Sequence, residues 1–281
     1  MSCCLKQMDQ PSCLPDIMPH NAASKIMLPL NYQSGSAIVK QSRIDAVDIV
    51  RGVAICGVVI FHMVWDLEFT GIISGVAFHP IWLGFGRILA GTFMFLVGYS
   101  LVLAHPNGVV KKGPFLRRLS IISAAALAIT LITFFAFPTS FIFFGILHSI
   151  AIASLLGIVF LKTPAIVPLV MGILVLAFPQ YLQIDAFNSR WLAWIGLYSS
   201  PPISNDFVPV LPWFGLTLLG IFFAKTVKHL DIKTHSRRFT SLGNLRNSLI
   251  WAGRRTLPIY LLHQPVLLLI IVPVSWILQT I

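Results

Sequence analysis

Residues 46–65 read AVDIVRGVAICGVVIFHMVW, and among these 20 only Asp48, Arg51 and His62 carry an acidic or basic side chain. Because the hydrocarbon core of a bilayer is about 30 Å thick, a helix crosses it with about 20 mostly apolar residues. The run therefore predicts a transmembrane helix, with Arg51 in its first turns and His62 near its other end.

Six further apolar runs follow along the chain. They cover residues 82–104, 119–137, 141–161, 165–181, 209–224 and 256–278. The run 209–224 is the weakest, because it is short and contains Pro212, so six or eight crossings are also compatible with the sequence. A composition of 57% hydrophobic and 10% charged residues lies outside the range of soluble proteins. We predict an all-α, polytopic membrane helix bundle with about seven transmembrane helices.

The 20 Lys and Arg residues are distributed unevenly between the two sides of this bundle. Seventeen lie in the N-terminal tail and in loops on the same side, Arg190 lies on the other side, and Arg51 and Arg87 lie inside apolar runs. Because cytoplasmic loops are enriched in Lys and Arg, the N-terminus is predicted to be cytoplasmic. The net charge of +11 then reflects topology and contact with anionic membrane lipids. We expect no nucleic-acid partner, since no basic stretch has the motifs of a nucleic-acid reader.

The first 42 residues differ from the rest of the chain. They lack the charged-then-apolar pattern of a signal peptide and are predicted to form a disordered cytoplasmic leader, followed by one membrane domain over residues 43–281. The four cysteines lack the paired spacing of a metal site or of a disulfide framework, so we predict no metal site.

Four polar side chains inside the apolar runs are predicted to converge near the outer leaflet. At 1.5 Å per residue, His62 lies about 24 Å along the first helix, and Asp66 follows one turn later on the same face. Arg87 and His148 enter from the outer side at comparable depth. Because ionisable groups in a bilayer are costly, each is a functional candidate. We expect Asp66 to orient His62 as a general base, with His148 close by, and Arg87 to bind an anionic substrate or a developing oxyanion. The alternative is that these groups bond one another and only fix helix packing.

A second polar group is predicted at the cytoplasmic face. Arg51, with Asp48 as its charge partner, lies in the first turns of the first helix, and His263 and Gln264 lie about 9 Å into the last one. Further basic residues crowd the same mouth, so a phosphorylated cytoplasmic ligand would be attracted there.

Several motifs along the chain carry a family resemblance. They are RIDAVDIVRGVA at 43–54, FHMVWDL at 61–67, FMFLVG at 93–98, FGILH at 144–148, PWFG at 212–215 and IYLLHQP at 259–265. In this order the motifs resemble those of bacterial members of the heparan-alpha-glucosaminide N-acetyltransferase catalytic-domain family. The resemblance covers nearly everything after the N-terminal tail.

The resemblance implies a membrane acyltransferase. It implies transfer of an acetyl or other acyl group from cytoplasmic acetyl-CoA or acyl-CoA to an extracytoplasmic acceptor, typically a sugar, here an envelope polysaccharide of a bacterium. The protein would then lie in the inner (plasma) membrane as a multi-pass protein. Arg51, His263 and Gln264 would bind the acyl-CoA, and Trp213 with Arg87 would contact the substrate. The oligomeric state, including self-association, stays open.

Three questions stay open at this level. The animal enzyme of the family is thought to use a histidine in the first extracytoplasmic loop, so His79 competes with His62 as the base. A transporter, in which His62, Asp66, His148 and His263 relay protons, is the rival class of function. The sequence also leaves a covalent intermediate and a direct transfer as alternatives.

Overall fold

The computed structural model describes residues 33–229 and 243–280, with side chains over 45–227 and 243–280. The chain divides into two units, Met1–Ile38 and Val39–Ile281. Of the first unit only residues 33–38 are described, and they are helical. The predicted leader, residues 1–42, therefore lies largely outside the described residues, and its last ten form the first turns of a helix.

The regular structure in the described ranges is helical, which confirms the all-α prediction. The helices are Gln33–Phe69 (α1), Pro80–Ala104 (α2), Lys112–Ala136 (α3), Ile146–Gly157 (α4), Ile166–Tyr181 (α5), Arg190–Ala193 (α6), Val210–His229 (α7), Gly243–Arg254 (α8) and Thr256–Thr280 (α9). Short 3-10 turns join some of these helices, and an isolated bridge pairs Phe144 with Phe207.

Five helical segments of the described chain are long and apolar enough to cross a membrane. They are Asp45–Phe69, Pro80–Ala104, Lys112–Ala136, Val210–Val227 and Thr256–Thr280. The run 209–224, the weakest of the sequence predictions, is among them. Two shorter apolar segments, Ile146–Leu161 and Ile166–Tyr181, match the fourth and fifth runs. The membrane bundle is thus confirmed, while the number of crossings and the cytoplasmic N-terminus stay predictions.

α7 is the central helix of the bundle and packs against α2 and α5. Glycines permit this close approach: a Cβ on Gly98 of α2 would collide with the backbone of Thr217, and one on Gly220 would collide with the backbone of Phe95. Small residues at such crossings are typical of membrane helix pairs, because attraction between the helices depends on close packing.

α8 occupies the level of the first turns of α1. A Cβ on Gly52 would collide with Leu249, and a Cβ on Gly253 would collide with Asp48. Arg246 bonds to Asp45 at 2.6 Å, and Arg254 bridges Asp45 and Asp48. Because α8 fills this level, α9 begins further along α1, where Ile259 and Tyr260 pack against the cluster that contains Ile55 and Val58.

Candidate functional site

The ring of His263 on α9 lies against the ring of His62 on α1. The two centroids are 4.8 Å apart and the ring planes meet at 75°. His263 is buried and His62 is half-buried. The prediction that His263 lies with Arg51 is therefore wrong, because the depth count assumed that α9 starts level with the first turns of α1, where α8 lies instead.

Hydrogen bonds fix which nitrogen of each ring carries the proton. Nδ1 of His62 lies 3.0 Å from the carbonyl oxygen of Val58, and Nδ1 of His263 lies 2.6 Å from the carbonyl oxygen of Tyr260. Because only an N–H can bond to a carbonyl oxygen, both Nδ1 atoms are donors, and in each neutral ring Nε2 is then the basic nitrogen. The two imidazoles can therefore accept protons at Nε2.

Asp66 is held by α9. Gln264 donates from Nε2 to Asp66 Oδ1 at 2.7 Å, and Asp66 is only 2% exposed. The sequence predicted that Asp66 orients the ring of His62, whereas in the structure Val58 of the same helix orients it. Gln264 was also predicted at the inner mouth, and its bond to Asp66 corrects that placement.

Several buried polar atoms around this pair have no hydrogen-bond partner among the described residues. The acceptors are Asp66 Oδ2, His263 Nε2 and Gln264 Oε1. The indole N–H of Trp82 is unpartnered too, and its ring stacks on Phe61 beside His62. Because a buried unpaired polar group costs about 1–3 kcal/mol, such a concentration is expected where a ligand or water binds. Three clustered acceptors suit a ligand that brings donors, such as a hydroxyl or an amine.

Two polar residues that sequence reasoning missed lie behind His263. The ring of Tyr260 is 5.4 Å from that of His263, and its hydroxyl donates to Asp206 Oδ2 at 3.3 Å. Asp206, in the loop before α7, also accepts from the backbone N–H of Ile146 at 3.0 Å. Burial raises the pKa of Asp206 above its usual range, and these two hydrogen bonds oppose the rise. Tyr260 stands within the motif at 259–265 and could have been noticed there; Asp206 gave no such signal.

His148 is saturated by local hydrogen bonds. Its Nδ1 accepts from the backbone N–H of Gly145 at 3.2 Å, so Nε2 carries the proton and donates to Thr130 at 3.3 Å. Thr130 in turn donates to the carbonyl oxygen of Ile142. His148 thus fastens the start of α4 to α3 and reaches the histidine pair only indirectly. It lines a small cavity with Asp206 and Tyr260, and the ring of Tyr260 contacts that of His263. The physical reason is that residues 141–145 are not helical, so His148 falls in the first turn of α4.

Arg51 lies at the other end of α1, as predicted. Its guanidinium bonds to Asp48 at 3.2 Å and to the hydroxyl of Ser100 on α2 at 2.5 Å. Asp48 is shared with Arg254 of α8. Arg51 is thus held by two helices while about a quarter of its side chain stays accessible, at 27%.

Comparison with known families identifies the chain. Residues 43–265 match the family described as heparan-alpha-glucosaminide N-acetyltransferase, catalytic. The chain belongs to this family. The match covers more than three quarters of the sequence and includes His62, Asp66, His263 and Gln264. No curated protein and no solved structure gives a significant match.

His79, the alternative to His62 as the base, is exposed at the start of α2. Its Nδ1 accepts from the backbone N–H of Ile81 at 3.4 Å and so caps the helix. The loop before it is organised by Glu68, whose carboxylate accepts from the backbone N–H groups of Val76 and Ala77 at 2.8 and 2.6 Å. His79 is held outside the buried pair.

Arg87 and Trp213 line one groove between α2 and α7. Arg87 is exposed, and its positive charge partly opposes the rise in the pKa of Tyr198 that burial causes. The predicted contact of Arg87 with the His62 cluster is indirect: Gly86 packs on Phe61, whose ring is edge-on to that of His62.

Proposed function

We propose that the protein is an acyltransferase of the bacterial inner membrane, which moves an acetyl or related acyl group from cytoplasmic acyl-CoA to an extracytoplasmic sugar. The observation that carries this proposal is the pair of imidazoles, His62 and His263, whose Nδ1 atoms are both tied to carbonyl oxygens. Their Nε2 atoms are left to handle the protons that acyl transfer must move.

The pair divides the proton transfers of the reaction. Nε2 of His62, the less buried ring, takes the proton of the acceptor hydroxyl or amine as its oxygen or nitrogen attacks the thioester carbonyl. A C–O or C–N bond forms, the C–S bond breaks, and the thiolate of coenzyme A leaves. Nε2 of His62 passes this proton to Nε2 of His263, which lies in ring contact with it, and His263 gives the proton to the thiolate. His263 thus acts in the chemistry, and its earlier assignment to donor binding is replaced.

Arg51 serves the donor in this proposal. Eleven residues, about 16 Å of helix, separate it from His62. Its guanidinium would bind the phosphates of the nucleotide, and the extended pantetheine arm would reach along α1 to the histidines. Ile55, Val58 and Leu89 pack together in this interval, so entry of the arm requires these side chains to move apart. A covalent acyl-histidine and a direct transfer both remain compatible with this arrangement.

Acyl transfer from radiolabelled acetyl-CoA by detergent-purified protein tests the proposal. Wild type, His62→Ala and His79→Ala are compared, with His105→Gln as the control, because His105 makes the same Nδ1 bond to its i−4 carbonyl at the far end of α2. Loss of transfer in His62→Ala alone supports the proposal. Loss in His79→Ala alone would move the base to the outer loop. A folded wild type without any CoA-dependent activity would favour the transporter.

A further inference from the structure

A groove of about 480 Å³ lies between α2 and α7. Arg87 lies in its wall, and the remaining lining is almost entirely apolar, with Gly91, Phe95, Trp213 and Leu216 among the residues. Of these residues, Gly91 and Phe95 follow Arg87 along one face of α2 for two turns. The groove is therefore long and apolar, with a single positive charge.

Arg87 has an unusual position for a cation. It lies seven residues into α2, about 10 Å from the helix start, on an exposed face next to Ile88, which is 67% exposed. The ion pairs of the described residues all involve Asp45 or Asp48 at the other face of the bundle. The one other polar residue of the groove, Thr92, donates its hydroxyl to the carbonyl of Ile88. No carboxylate of the described chain pairs with Arg87.

A cation on the outer surface of a membrane helix needs an anion from its surroundings. α2 is long and apolar enough to cross a membrane, so we expect this exposed face to meet lipid, and the anion that lipids offer is a phosphate. Arg binds phosphate by two parallel N–H···O bonds. The apolar remainder of the groove fits a hydrocarbon chain, which would continue from the phosphate towards the bilayer centre.

We propose that this groove binds a lipid phosphate that carries the acyl acceptor, with its phosphate on Arg87 and its chain along Gly91 and Leu216. This inference rests on the proposed function and names the substrate class: a sugar attached through phosphate to a membrane lipid. The groove adjoins the histidines, because Gly86, next to Arg87, packs on Phe61 beside His62. Trp213 of the groove also packs against the cluster that contains Ile55 and Val58 of α1, so the groove lies beside the turns of α1 that precede His62.

Gly91 keeps the groove open. A Cβ at this position would lie 2.9 Å from the Leu216 side chain, so a larger residue fills the space between α2 and α7. A larger residue at position 91 therefore blocks the site of the hydrocarbon chain without changing the charge of the groove. Arg87→Gln removes the positive charge without changing the site of the hydrocarbon chain.

Binding of radiolabelled farnesyl phosphate to the full-length protein in detergent, without acyl-CoA, tests the site independently of catalysis. Farnesol is the matched probe without phosphate, and inorganic phosphate is the probe without a chain. We expect wild type to bind farnesyl phosphate at least tenfold more tightly than farnesol, and inorganic phosphate to compete poorly. Arg87→Gln should abolish the preference for farnesyl phosphate, and Gly91→Leu should weaken binding of both lipids.

The control variant is Arg190→Gln, because Arg190 is a second exposed arginine on the predicted outer side, and it should bind farnesyl phosphate as wild type does. Equal binding of farnesyl phosphate and farnesol by wild type would overturn the proposal, and so would unchanged binding in Arg87→Gln. Inorganic phosphate that competes as well as farnesyl phosphate would point to a free anion and also overturn it. If farnesyl phosphate binds as expected but acyl transfer fails, the proposed function falls and the lipid site stands.

Discussion

Gln264 on α9 donates a 2.7 Å hydrogen bond from its side-chain amide to the carboxylate of Asp66 on α1. Asp66 lies one turn after His62, and Gln264 directly follows His263. The bond therefore fastens the same two turns that bring the imidazoles into contact at 4.8 Å. This hydrogen bond lies outside the proposed acid–base pair and holds together the two helices that carry it.

Gln264→Ala should lower both stability and turnover. The change leaves the buried carboxylate of Asp66 without its donor, which costs about 1–3 kcal/mol, and it loosens the alignment of the rings. Gln279→Ala is the matched control, because Gln279 bonds to Thr70 at the exposed end of the same helix. Apparent melting temperature in detergent and kcat are measured for both variants. Equal effects in the two would contradict this assignment.

His263→Ala should lower kcat for acyl transfer by at least about 100-fold, the usual contribution of a general acid or base. The KM for acetyl-CoA should change little, because His263 lies with His62 and away from Arg51. Steady-state kinetics with varied acetyl-CoA separate the two constants. A raised KM with unchanged kcat would return His263 to donor binding.

Arg51→Gln should raise the KM for acetyl-CoA by about tenfold or more, since a hydrogen bond to a charged group contributes about 1.5–3 kcal/mol. The effect on kcat should be smaller. Arg190→Gln, on the predicted opposite side of the membrane, should leave this KM unchanged. If both variants have the KM of wild type, the donor site lies elsewhere.

Gly98→Ala should strongly destabilise the bundle, whereas Gly84→Ala on the same helix should not. A Cβ on Gly98 would collide with the backbone of Thr217, while a Cβ on Gly84 meets nothing within 4 Å. The apparent melting temperature and the yield of monodisperse protein are compared. Similar behaviour of the two variants would contradict the packing of α2 on α7.

Stability should depend on pH through Asp206. Its pKa is raised in the folded protein by burial, so the neutral carboxyl is favoured on folding. Its contribution is fully present below the ordinary carboxyl pKa, near 4, and is lost as the pH rises through the raised value. Wild type should therefore lose stability relative to Asp206→Asn as the pH increases from about 4. If the melting temperatures of wild type and Asp206→Asn change with pH in parallel, this prediction is refuted.

The sequence predicted the framework more fully than the site. Apolar runs such as 46–65 are visible because membrane thickness imposes their length. Depth counting placed Arg51 and His62 at opposite ends of α1, as in the structure, but misplaced His263, because the sequence does not show that α8 packs beside the first turns of α1. His148 approaches the pair only through Tyr260, because residues 141–145 look as apolar as a helix in the sequence but are not helical. The ring of His62 is hydrogen-bonded to the carbonyl oxygen of Val58 and not, as expected, to Asp66.

The central claim, that His62 and His263 act as one unit, is tested most directly by a double-mutant cycle on kcat for acyl transfer. The cycle uses His62→Ala, His263→Ala and the variant with both changes. Because groups that act together are lost together, we predict that the double variant is no slower than the slower single one. Losses that multiply would contradict the account, as would a single variant with the activity of wild type.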